Sequence, residues 1–173
     1  MEKKWYEINN STEVTDIYLF SDIGTFGVSA QSFVEEIKEY ENKELAIHIN
    51  SLGGEVFEGM AIYSIIQRRK AKTTVYIEGI AASIASVIAL AADEVIMSEN
   101  SLLMIHNAWG GSSGDAKEMR KQADVLDKIS NEIAEIYVKK TRLSYNEIEM
   151  MMSEETWLTA EEAVALGFVD SIS

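Results

Sequence analysis

Gly79-Ile80-Ala81-Ala82-Ser83-Ile84-Ala85-Ser86, continued by Val87 to Ala92, is the stretch on which the fold and chemistry of this chain turn. Ahead of it, Thr73 to Ile77 is β-branched and aromatic, the composition of a strand. Gly79 lets the backbone turn sharply, and Ala81 to Ala92 is almost wholly small or aliphatic, which predicts a helix enclosed by other elements. Ser83 then falls in the first turn of that helix, among free N–H groups at the positive end of the dipole. Such a place exposes a hydroxyl at a sheet edge and suits a developing oxyanion. A serine there is also an ordinary cap, and small residues also serve close packing. Taken alone, the stretch favours that structural role.

Outward from it, strands and helices alternate. Upstream, Ile17 to Phe20 reads as a strand, and Ala30, Phe33, Val34 and Ile37 recur at helical spacing after a cap at Ser29 or Ser32. Leu45, Ile47 and Ile49 alternate with Ala46, His48 and Asn50, the period of a strand. Ser51-Leu52-Gly53-Gly54 turns into a helix over Glu55 to Lys70, whose basic end complements the helix C-terminus. Downstream, Glu94 to Met97 and Leu102 to Ile105 are short strands, the second ending at His106. Trp109 to Gly114 is a flexible loop, and Asp115 to Thr141 a long amphipathic helix with Met119, Leu126, Ile129, Ile133 and Ile136 on one face. Ser144 to Glu147 and Thr159 to Glu162 are capping boxes, and Gly167 closes the last helix. The order predicts parallel pairing with right-handed crossovers in one α/β domain over residues 14–173, preceded by a mobile arm over 1–13.

The 173 residues suffice to bury a core without metals or disulfides. A formal net charge of −14 disfavours nucleic acid and anionic membrane as partners. With no cysteine, neither a disulfide nor a thiolate nucleophile or metal site is available, and neither metal nor cofactor is expected. The most apolar run, Ile80 to Ala92, is too short to span a bilayer and is bracketed by Glu78 and Asp93, so a soluble protein is expected.

In open α/β sheets, sites form at the carboxyl ends of strands. The Gly53-Gly54 turn, the Ser83 turn and His106 all fall there. A serine nucleophile needs a base within hydrogen-bond reach and donors for the oxyanion. Ser83 offers the hydroxyl, His106 the imidazole, and Gly54 and Ile84 backbone N–H groups. His48, inside a strand, reads as a packing residue, and Ser86, one turn beyond Ser83, is the rival hydroxyl.

Ile49 to Gly54, Gly79 to Ser83, Met104-Ile105-His106, Gly110-Gly111 with Gly114, and Leu158 to Ala163 running on to Asp170 occur in an order that resembles the proteolytic subunit of the Clp protease. The likeness spans Ile17 to Ile172. It implies a crotonase-like α/β fold of repeated β-β-α units with a long protruding helix, and a serine endopeptidase acting through an acyl-enzyme. By resemblance Ser83 is the nucleophile, His106 the general base, Glu155 the triad acid, Gly54 and Ile84 the oxyanion donors, and Gly53, Gly110 and Gly111 contact the substrate. The family usually has proline at Leu52, methionine at Ile84, glycine at Ala85 and aspartate as the acid. Ala81 to Ala89 and Glu154 to Thr159 look more like phage and prophage members associated with capsid maturation. The resemblance further implies protein or peptide substrates, a homo-oligomer of one or two heptameric rings, an ATP-driven unfoldase as an open partner, and a cytoplasmic setting in a bacterial or phage-infected cell. Two other readings compete: an acyl-CoA enzyme of the crotonase fold, separable by coenzyme A titration, and an assembly protein with weak or lost peptidase activity.

Overall fold

The computed structural model describes residues 8–10 and 14–173. Strands β1 (Ile8–Asn10), β2 (Val14–Leu19), β3 (Glu44–Ser51), β4 (Thr73–Ala82), β5 (Glu94–Met97), β6 (Leu102–Ile105), β7 (Thr156–Thr159) and β8 (Ser171–Ile172) make one sheet. Its main path runs β1-β2-β3-β4-β5-β8, and β6 joins β4 to β7. All pairings are parallel except β1 with β2 and β6 with β7. The helices are α1 (Ala30–Ile37), α2 (Val56–Gln67), α3 (Ile84–Ala89), α4 (Ala116–Lys140), α5 (Tyr145–Ser153) and α6 (Ala160–Leu166). This mixed architecture with a mainly parallel sheet is the one the resemblance implies. The arm expected over residues 1–13 contains β1; its other residues lie outside the described ones.

Alternation in the strands sets the layers. Thr15, Ile17 and Leu19 of β2 are buried while Val14, Asp16 and Tyr18 are half-buried, and β4 repeats the pattern. The buried side, with Ile47, Ile49, Val75 and Ile77, packs on Phe33, Ile62, Ile66, Val87 and Ile88 from the helices. Each such side chain taken wholly from water contributes about 1.5–3 kcal/mol. The packing is close: a Cβ on Gly59 of α2 would lie 2.2 Å from Ile84 Cγ1 of α3.

The central stretch departs from the expected turn at Gly79. β4 continues to Ala82, and the helix is confined to Ile84–Ala89. Thr74 to Ile77 pair with β5, whereas Ile80 to Ala82 pair with Leu102 to Met104 of β6. Gly79 thus marks the change of partner, and β6 keeps the small residues after it extended. The chain turns at Ser83 instead.

The boxes at Ser144 and Thr159 and the Gly167 cap fall where the sequence puts them, Ser29 rather than Ser32 caps α1, and the box at Asp115 is additional. Ser29, Asp115, Ser144 and Thr159 each close a capping box, and Gly167 ends α6 at φ 85. In α4 the buried residues are Ile133, Ala134, Ile136 and Tyr137, all near its C-terminal end. Met119 and Val125 are exposed, so the outer half of the helix extends beyond the core. Among the described residues, no helix is long and apolar enough to cross a membrane.

Candidate active site

The ends of β3, β4 and β6 bring together most of the residues chosen from the sequence. Pairing of Ala82 with Met104, and a 2.9 Å bond from the Ser83 N–H to the Met104 carbonyl, set Ser83 beside the end of β6. His106 follows that strand directly, and its Nε2 lies 2.8 Å from Ser83 Oγ. Antiparallel pairing of Ile105 with Thr156 then places His106 across from Glu155, whose Oε2 is 3.5 Å from His106 Nδ1. A bond from the Asn107 N–H to the Met152 carbonyl ties the same two segments beyond the strands. The imidazole is largely buried at 16% side-chain exposure, while the Glu155 carboxylate is 56% exposed. The second carboxylate oxygen of Glu155 accepts the indole N–H of Trp157 at 3.4 Å.

Backbone geometry singles out the same positions. Ser83 has φ 55 and ψ −131, and Glu155 has φ 52. They are the only non-glycine residues of positive φ among those described. Each such conformation costs about 1–3 kcal/mol and persists where the surroundings over-determine it. At Ser83 this angle presents the hydroxyl at the head of α3, the sharp strand-to-helix turn that a nucleophile exploits. No side chain caps α3, because the Ser83 hydroxyl is directed to His106.

The Gly53-Gly54 turn closes on this point. Gly53, at φ 95, lies so near Ser83 that a Cβ would sit 2.7 Å from the Ala82 carbonyl oxygen and 2.8 Å from Ser83 Cβ. Gly54, at φ 147, is pressed on Ile23, where a Cβ would meet the carbonyl oxygen at 2.0 Å. Bonds from Ile23 N–H to Gly53 carbonyl and from Glu55 N–H to Ile23 carbonyl straddle Gly54 and leave its own N–H unused by the turn. That N–H and the Ile84 N–H, first in α3, are the pair expected to bind an oxyanion. Replacing Gly53 with alanine should push the turn off Ser83 and lower turnover about tenfold or more, with some loss of stability. Steady-state kinetics beside thermal melting checks this; a variant with unchanged kcat refutes the close approach.

A cavity of about 500 Å³ opens beside Ser83 and His106. Ile84, Val87, Ile133 and Tyr137 line its apolar part, and Phe26 and Trp109 lie at its edge, exposed. Of these only Ile84 is a site residue chosen from the sequence, and there for its backbone N–H; Phe26, Val87, Trp109, Ile133 and Tyr137 are not. Tyr137 shares a helix face with Ile133, but periodicity does not say which strand ends that face meets. Gly110 and Gly111 do not line the cavity. A Cβ on Gly110 would have Leu126 as nearest neighbour at 3.9 Å, and on Gly111 none within 4 Å.

His48 stands apart. It stacks between Tyr18 and Tyr76, with ring centroids 4.5 and 5.1 Å away. Its nitrogens meet Glu78 at 2.6 Å and Asp16 at 3.4 Å, on the sheet face away from the core. Ser86 is wholly buried and bonded to the Ser83 carbonyl and to Tyr137, so it is no rival nucleophile. Among the described residues no group of three histidine or carboxylate side chains is arranged to hold a metal ion. A family model described as Clp protease matches residues 8–173 of the chain.

Proposed function

The chain belongs to the Clp protease family, whose members are serine peptidases acting on proteins, and from that premise we propose a serine endopeptidase that works through Ser83, His106 and Glu155. The 2.8 Å contact between Ser83 Oγ and His106 Nε2 carries the reading. Ser83 Oγ attacks the scissile carbonyl carbon as His106 Nε2 takes its proton. The carbonyl oxygen becomes an oxyanion received by the Gly54 and Ile84 N–H groups. Collapse breaks the C–N bond, and His106 passes the proton to the departing amine. Water, deprotonated by the same imidazole, then cleaves the Ser83 ester. Glu155 accepts from Nδ1, fixing the tautomer and favouring the imidazolium.

The test is labelling with a serine-reactive phosphonate, followed by mass spectrometry and assay of short-peptide hydrolysis. One adduct on Ser83 with parallel loss of hydrolysis is expected; an adduct elsewhere refutes the assignment. The Ala81 to Ala89 and Glu154 to Thr159 segments support a phage- or prophage-type enzyme that matures capsid proteins in the cytoplasm.

Family members usually form rings, and here the outer half of α4 supplies a surface for one. Met119 and Val125 are exposed there, and Leu126 and Ile129 are half-buried. Apolar faces of this kind mark interfaces. Sedimentation should show a heptameric or doubled ring at micromolar concentration. Monomer alone, with peptidase activity intact, excludes it.

A further inference from the structure

Ser83 is held in its unusual conformation from both sides. Its N–H donates to the Met104 carbonyl at 2.9 Å. Its carbonyl accepts the Ser86 N–H at 3.0 Å and the Ser86 hydroxyl at 2.6 Å. The Ser86 hydroxyl also lies 2.8 Å from the Tyr137 hydroxyl. The direction of that last bond follows from proton count. A carbonyl only accepts, so the single Ser86 proton is spent on Ser83, and Tyr137 must donate to Ser86 Oγ. The chain of donors therefore runs Tyr137, Ser86, Ser83 carbonyl, from α4 to the turn that carries the nucleophile.

Both hydroxyl-bearing residues are shut off from water: Ser86 is 0% and Tyr137 1% exposed. Burial pushes the Tyr137 phenol well above its usual value, with the Ser86 bond opposing this only in part, so the phenol remains a donor throughout the working pH range. Nothing in the packing demands a hydroxyl at either position. The Tyr137 ring already packs on Phe168 at 5.8 Å between centroids, which phenylalanine would retain.

We infer that Ser86 and Tyr137 are positioning residues, a hydrogen-bond relay from α4 that holds the Ser83 backbone at the angle presenting Oγ to His106. The inference rests on Ser83 being the nucleophile. Without the relay the Ser83 carbonyl keeps only the Ser86 N–H, and the turn relaxes toward commoner backbone angles. Oγ is then in line for attack a smaller fraction of the time. Tyr137 also lines the cavity, and Tyr137→Phe keeps its ring in that wall, so the loss of the relay is read in kcat. Because Tyr137 sits on α4, any shift of that helix is passed to the nucleophile.

The experiment is a double-mutant cycle with Tyr137→Phe and Ser86→Ala on the full chain, read by peptide kcat and KM, phosphonate labelling rate and melting temperature. Each single variant should lower kcat and labelling about five- to tenfold, the scale of one buried neutral hydrogen bond. KM should not move. The double variant should lose little more than either single, because the relay acts as one unit. Ile136→Val, a core change on α4 away from the cavity, should lower the melting temperature and leave kcat alone. Wild-type kcat in Tyr137→Phe, or losses that multiply in the double variant, overturns the relay. So does a fall in kcat that Ile136→Val reproduces at equal melting temperature. Failure of wild-type protein to label at Ser83 overturns instead the peptidase reading on which the relay depends, so the two failures are distinguishable.

Discussion

Ser83→Ala should lower peptide turnover by about 10⁴- to 10⁶-fold, and His106→Ala should do nearly the same. The near equality matters more than the size. Ser83 Oγ is 2.8 Å from His106 Nε2, and in the proposed mechanism the two act as one nucleophile and base. Removing either abolishes attack on the carbonyl, leaving only binding and oxyanion stabilisation. The double variant should therefore be little worse than the worse single one. Neither substitution threatens the fold. Ser83 is anchored through its backbone to Met104 and Ser86, and His106 follows a strand pinned by β4 and β7. Circular dichroism and melting should match the wild type while hydrolysis and phosphonate labelling vanish. Losses that multiply in the double variant mean the residues work independently, and a residual rate in Ser83→Ala above one per cent means another group attacks.

Much of this arrangement is legible in the sequence, because local chemistry dictates it. Strand alternation at Leu45 to Asn50, the caps at Ser29, Ser144 and Thr159, and the glycines at 53, 54 and 167 each answer to one backbone requirement. Ser83 and His106 fall at strand ends, where an α/β sheet gathers its chemistry. What escaped depends on pairing between distant segments. β4 runs to Ala82 because β6 pairs with Ile80 to Ala82, and no local signal opposes a turn at Gly79. β7 is four residues long and visible only through its partner β6. The Tyr137 and Ser86 hydroxyls are 51 positions apart, and the sequence, which offers Ser86 only as a rival nucleophile, does not show that they meet. The glycine-rich loop shows the reverse case. Gly110 and Gly111 belong to a segment that carries the family resemblance, yet neither lines the cavity.

Glu155→Gln should cut turnover by about 10²- to 10⁴-fold without unfolding the protein. The triad acid must accept from the imidazole nitrogen remote from the nucleophile, holding the tautomer and stabilising the imidazolium. Glu155 Oε2 stands 3.5 Å from His106 Nδ1, at the outer edge of a direct contact, and solvent reaches the carboxylate. Glutamate is one methylene longer than aspartate, so its backbone must sit differently to deliver the same oxygen. Glu155 has a left-handed φ of 52 where the chain passes from α5 to β7, and its Oε2 faces His106 Nδ1. Glutamine preserves that length and the Trp157 contact but loses the charge and can offer its N–H₂ to the ring, which favours the wrong tautomer. Two other carboxylates that could serve as the acid, Asp115 beside the glycine-rich loop and Asp170 near the C-terminus, are engaged elsewhere. Asp115 caps α4 by accepting from Lys117 and Glu118, and Asp170 accepts the Val95 N–H and pairs with Lys140. Asp115→Asn and Asp170→Asn should therefore alter stability more than rate, and Glu154→Gln should do little. The fall should lie in kcat, since Glu155 is not among the residues lining the cavity. Equal behaviour of Glu154→Gln and Glu155→Gln, or a larger loss of kcat from either aspartate, removes Glu155 from the triad and leaves His106 to be oriented by another group.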